Sequence, residues 1–304
     1  MAAAAVLVTL ALAGCNASEP LAVEAPFNVV GHWTGSQWAK LEPTLGGAMN
    51  LKSSNLCQRG ADACMNAVVD EMTQRINALG CSQLAPFAVM YRQVSIEVRA
   101  SAEAHRYRVP AYVVHLDSVF ATYYFRALDE WRSGNRNAVP QVWRIAFSAA
   151  EGQRVSTLGD MLLGMNAHIS RDLAFALASV GLKEPGGSGV PDVVAVNKDI
   201  FRSQAPMVAL IKARYDGDLN LAADLPKHVS LSLVPEIIAR WRLEAIANAR
   251  DLINARTPAA RLEVETRIND VATLRSLLIW RETSLKHPTS TNATRNAYCS
   301  AHDN

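Results

Sequence analysis

The chain has 304 residues, of which 50% are hydrophobic and 19% charged, with a formal net charge of +2. That size and apolar content suit one large or two modest domains with a sizeable core. The near-zero charge and the lack of a dense Lys/Arg cluster argue against nucleic acid as a partner, and no run after the leader is long and apolar enough to span a bilayer.

Residues 1–14 are almost wholly apolar and end in Leu12-Ala13-Gly14-Cys15. An apolar run followed by small residues reads as an export signal, too short for a permanent anchor. Its ending resembles a bacterial lipobox, which implies cleavage before Cys15 and acylation of that residue. The expected partner is therefore a membrane, reached through a lipid anchor on Cys15, and the expected location is the cell envelope. The basic opening usual in a signal is missing, since the first positive charge is Lys40. Residues 15–50 have no sustained period and read as a tether and irregular segment that packs Trp33 and Trp38 on the body. Residues 51–304 read as a single helical domain.

Beyond the leader stand Cys57, Cys64, Cys81 and Cys299. An even number in an exported chain predicts two disulfides. Cys57–Cys64 would close a short local loop, and Cys81–Cys299 would tie the tail to an early helix. A metal site is the weaker alternative, because there is no Cys-x-x-Cys pair and no histidine near Cys57 or Cys64.

Helical periodicity dominates from there on. The expected helices are Ala63–Leu79, Ala85–Ala104, Pro110–Trp131 and Val139–Ala150, with a breaker-rich loop over residues 133–140. A central helix follows residues 156–160 and ends near Gly181. Glu184–Pro191 reads as a flexible connector. Asp192–Tyr215 is helical with an interruption at Pro206, and a loop covers residues 216–228. Leu231–Ala255 and Pro258–Glu282 form a helical pair, and the polar tail Lys286–Asn304 reads as extended. Alternating strand patterns are nearly absent, so the fold class is all-α, a multi-helix bundle.

The central helix is the informative element. It is apolar overall yet carries Asn166, His168, Arg171 and Asp172, and buried polar groups are unfavourable unless paired. His168 and Asp172 lie one turn apart on one face. They are the first candidates for catalysis or metal binding, with Asp172 orienting the imidazole; the plainer reading is a buried pair that fixes helix packing. Asp117 is the next catalytic candidate, and Tyr124 shares its side of the helix. Asn166, Arg171 and Tyr124 are the candidate substrate-binding residues. Asp192, with His168 and Asp172, is the candidate metal set, although Asp at a helix start is also a favoured cap. Arg240 and Glu244 read as a surface pair. No Gly-x-Ser-x-Gly elbow, phosphate-binding glycine loop or His-Glu-x-x-His is present.

The order of several short patterns is informative as a set: Cys57…Cys64 followed by Val68, Met72 and Arg75; Met90-Tyr91-Arg92; Asp117-x-x-Phe120-Ala121-x-x-Tyr124; Val139-Pro140-x-x-Trp143-Arg144; and Leu162 through Leu173 with its polar insertions. Together they resemble the bacterial domain of unknown function family 5995, over roughly residues 57–282, with Ala297-Tyr298-Cys299 also similar. The resemblance implies an all-helical, often exported protein and carries no activity. Two functions follow from the residues themselves. One is a non-enzymatic envelope protein that binds a ligand or partner. The other is a hydrolase assisted by a divalent metal, built on His168, Asp172 and Asp117.

Overall fold

The computed structural model describes residues 47–225 and 229–302. Cys15, the leader and the two early tryptophans lie outside the described residues. Twelve α-helices are found among those described, with one two-stranded hairpin.

Helix α1 (Asp62–Leu79) opens with an acid in its first turn and stops at Gly80. Pro86 and Pro110 stand in the first turns of α2 (Ala85–Glu103) and α3 (Pro110–Arg132), where the missing amide costs nothing. Helix α4 (Gln141–Glu151) follows Pro140. Ser156 caps the central helix by accepting a bond from the Gly159 amide. That helix begins as α5 (Thr157–Met165), widens into a π-helical turn over Asn166–Asp172, and continues as α6 (Leu173–Val180) until Gly181, whose φ of 88° suits glycine alone.

The Glu184–Pro191 connector is more ordered than its glycines suggest. Strand β1 (Lys183–Glu184) pairs with β2 (Gly187–Ser188), and Pro191 lies inside the next helix, α7 (Val190–Ala195). Helix α8 (Asn197–Arg214) runs through Pro206 without a break, correcting the expected interruption. A single internal proline loses one backbone bond, and packing against α2 holds the turns on either side. Asp199 reinforces that contact by accepting bonds from Ser101, Tyr107 and Arg202. The loop after Tyr215 contains the short helix α9 (Leu221–Asp224), capped by Asn220. Helices α10 (Val234–Asn254) and α11 (Pro258–Thr283) form the expected pair, α11 being capped by Thr257.

The tail is also a correction. Residues 288–302 form helix α12 (Pro288–His302) rather than an extended strand. Its inward face carries Arg295 and Cys299, both buried. The Arg295 guanidinium donates to the Thr157 hydroxyl at 3.0 Å and the Asn292 amide oxygen at 2.8 Å. Cys299 is bonded to Cys81, and Cys57 to Cys64. Both pairings are those expected from the sequence.

One continuous hydrophobic core runs through the described helices. The π-turn sits within it, touched by α3, α4, α10 and α11. Among the described residues no helix is long and apolar enough to cross a membrane.

Candidate functional site

All seven residues of the π-turn are buried, including its five polar ones. Asp172 is fully enclosed and saturated. Trp143 Nε1 donates to Asp172 Oδ2 at 2.8 Å, Arg171 donates to Oδ1 at 2.7 Å, and His168 Nδ1 lies 3.2 Å from Oδ2. An ionised Asp172 there accepts from a protonated Nδ1, which assigns Nε2 as the bare nitrogen of the neutral ring. Burial lowers the His168 pKa, against the raising effect of Asp172. The spacing argument thus holds in its geometry: both side chains point inward and meet.

The other three polar residues of the turn face the α11 helix. Asn166 donates to the Ala272 carbonyl at 2.7 Å and the Ser276 hydroxyl at 2.8 Å. Ser170 accepts from Arg275. Arg171 donates to Asn269 at 2.9 Å and lies over the Phe175 ring. None of the three lines the cavity described below, and their bonds hold the π-turn against α11. Tyr124 is enclosed in the aromatic cluster of Phe87, Tyr91 and Trp143 and lines no cavity either. Asp192 accepts from the amides of Arg108 and Val109, both at 2.8 Å, and so anchors the chain entering α3. Among the described residues no three His, Cys, Asp or Glu side chains come together as a metal site, which separates Asp192 from His168 and Asp172.

The opposite side of the central helix faces a cavity of about 1060 Å³, bounded by α2, α3, α8, the loop around α9 and the start of α10. Its walls are mostly aliphatic and aromatic, with Met90, Val94, Phe120, Met161, Ile169 and Ile238 among them. Glycine at position 164 brings α5 close to α2, since a Cβ there would collide with the Phe87 ring. His168 lines this space, stacked on Phe120 with ring centroids 3.4 Å apart and meeting the edge of Tyr91 at 4.5 Å. Lys212, Asp218 and Asn220 are exposed lining residues and mark its mouth.

Five buried polar residues interrupt the apolar walls: Tyr91, Asp117, His168, Ser203 and Arg242. The Ser203 hydroxyl donates to the Ile200 carbonyl at 2.8 Å, whereas each of the others has an atom without a hydrogen-bond partner among the described residues, namely the Tyr91 hydroxyl, Asp117 Oδ2, His168 Nε2 and Arg242 Nε. They act on one another electrostatically. Burial pushes the Asp117 carboxyl up to about 7, which Arg242 opposes and Asp199 reinforces. Burial brings Arg242 down to about 10, with Tyr107 and Asp117 opposing. Burial also raises Tyr91, and the Asp117 charge adds to it. Arg242 donates to the Val193 carbonyl at 2.7 Å. It forms no ion pair among the described residues.

Of the sequence candidates, Asp117 and His168 therefore share the cavity. Arg242 and Tyr91 were not singled out, yet a signal existed for the arginine. Ile238, Arg242, Ile246 and Ala249 recur at helical spacing, so the inner stripe of α10 carries a cation among apolar residues. The neighbouring pair Arg240 and Glu244 is exposed, as expected of a surface pair, and Glu244 also meets Arg275 at 2.8 Å.

The sequence profile of a family of unknown function (DUF5995) matches residues 65–282, a span that takes in every residue lining the cavity. No curated protein and no solved structure matches the chain.

Proposed function

The chain belongs to this family of unknown function, and from that premise we propose that it is a binding protein that encloses the apolar body of a ligand. The observation that carries this reading is the cavity of about 1060 Å³ with its aliphatic and aromatic walls. Ligand sites are commonly apolar clefts of roughly 300–1,000 Å³ with a few polar groups that fix orientation. This one lies at the upper end, a size suited to a long or branched hydrocarbon. Each methylene taken out of water contributes about 0.8 kcal/mol, close to a four-fold gain in affinity.

A homologous series of straight-chain alcohols tests the reading. Displacement of neutral N-phenyl-1-naphthylamine should report affinities that climb about four-fold per added methylene until the cavity is full. Val208→Trp places an indole in the cavity from a half-buried position and should abolish uptake with little change in melting temperature. No uptake of any member of the series by the wild-type protein would rule the reading out.

The same proposal places the protein at the cell envelope, tethered through Cys15. Support comes from the Leu12-Ala13-Gly14-Cys15 sequence, and two disulfides suit an oxidising compartment. Cys15→Ser should move the protein from the membrane fraction to the soluble fraction of its host; an unchanged distribution counts against the anchor. The metal-assisted hydrolase has less support, because the His/Asp set comes to two facing groups, His168 and Asp172, rather than a ligand trio.

A further inference from the structure

We infer that the ligand is an amphiphile with a single acidic head group, a long-chain carboxylate, whose head lies against Arg242. The inference rests on the binding reading above and adds the chemistry of the head.

Arg242 carries it. The guanidinium is buried at 5% exposure, lines the cavity, and forms no ion pair among the described residues. One of its nitrogens is spent on the Val193 carbonyl and Nε has no partner. A buried charge is strongly unfavourable unless an opposite charge meets it. Elsewhere buried Arg75 is clasped by Glu71 and Asp129, and Arg171 by Asp172, while buried Arg295 spends its donors on Val155, Thr157 and Asn292. Arg242 has neither a carboxylate nor such a set of neutral acceptors, and it stands where a ligand would be.

The surrounding groups fix the sign and size of the missing charge. Nearby carboxylates are already committed, Asp172 to Trp143 and Arg171, and Asp199 to Ser101, Tyr107 and Arg202. His168 is neutral when buried, and Tyr91 offers an unpaired hydroxyl. Asp117 is the one buried acid lining the same space, Asp218 standing exposed at its mouth, and burial favours the protonated form that donates rather than repels. Among the buried lining residues, one guanidinium and otherwise neutral groups match one negative charge, and the exposed Lys212 and Asp218 at the mouth carry opposite charges. A doubly charged phosphate head would leave charge uncompensated, and a cationic head would meet Arg242. A planar carboxylate fits the guanidinium fork.

The test compares three ligands with one sixteen-carbon chain and different heads: hexadecanoate, 1-hexadecanol and hexadecyltrimethylammonium. Each displaces N-phenyl-1-naphthylamine from the full protein at pH 6, where Asp117 keeps its proton, below its micellar concentration. Hexadecanoate should bind about ten-fold or more tightly than the alcohol, as expected for a charge-assisted bond, with the cation weakest. Arg242→Met should bring the carboxylate-to-alcohol ratio down to about one. Equal affinities for the three heads in the wild-type protein would overturn the head-group inference and leave the apolar-binding reading standing. Failure of the neutral probe to enter at all would remove both. A tighter hold on hexadecyl phosphate than on hexadecanoate would also overturn the inference. The wild-type series decides the matter even where Arg242→Met fails to fold.

Discussion

The two sides of the central helix are built from the same residue types and finished differently. On the side facing α11, Asn166, Arg171 and Asp172 hold hydrogen bonds to Ala272, Ser276, Asn269 and Trp143, and each is bonded within the chain even though Asn166 Oδ1 has no partner. On the cavity side, Asp117, Tyr91, Arg242 and His168 Nε2 each keep a buried polar atom with no partner. Pairing is the rule inside proteins, so the first side reads as architecture and the second as a place prepared for something else. The difference shows that a polar residue in an apolar helix has to be judged by whether its bonds close within the chain.

That contrast can be broken experimentally, beginning on the paired side. Asp172→Ala strips Trp143, Arg171 and His168 of their shared acceptor and strands a buried guanidinium. Chemical denaturation should show a loss of about 3–5 kcal/mol; a loss under about 1 kcal/mol would show the network to be dispensable. Next is the pH response of Asp117. Its folded pKa, about 7, lies above the unfolded value near 3.8. The folded state therefore holds the proton longer, and its stabilising effect, complete below the unfolded value, is lost as pH rises from about 4 to about 7. With one unit worth about 1.4 kcal/mol, the change amounts to a few kcal/mol. Asp117→Asn should melt well above wild type at pH 8 and close to it at pH 4. His168, with its lowered pKa, contributes the opposite slope, stability lost as pH falls through about 6.5. It is present in both proteins and cancels in the comparison.

Smaller effects sharpen the same distinction. Asn166→Ala should cost about 1–3 kcal/mol, because it removes the buried bonds Asn166 gives to the Ala272 carbonyl and the Ser276 hydroxyl. Tyr91→Phe should change stability by less than about 0.5 kcal/mol, since it removes a hydroxyl that bonds to nothing in the chain. A large loss on Tyr91→Phe would mean that the cavity face is as closed as its opposite.

Much of this was legible in advance, for identifiable reasons. The apolar periodicity and the prolines at positions 86 and 110 mark α2 and α3 directly, and the four spacing of His168 and Asp172 places them in contact. The tail was not legible, because the inner stripe of α12 is made of Arg295 and Cys299 rather than aliphatic residues. Pro206 misled in the other direction, since tertiary packing against α2 overrides a local helix breaker. The site was half visible. Spacing relates residues within one helix, so it reached His168 and Asp172, but it cannot say that Arg242 arrives from α10 across the same space. Nor does it separate Asn166 and Arg171, which leave the π-turn on its far side.

The bond between Cys81 and Cys299 spans a separation of 218 residues and encloses every residue lining the cavity. Its second partner follows α11 in the chain, so this crosslink closes only after α2 through α11 have been made. It is thus a late event in biogenesis, and a chain truncated before the last helix leaves Cys81 as a free thiol. A protease cut within the enclosed span would leave both fragments joined until a reductant parts them.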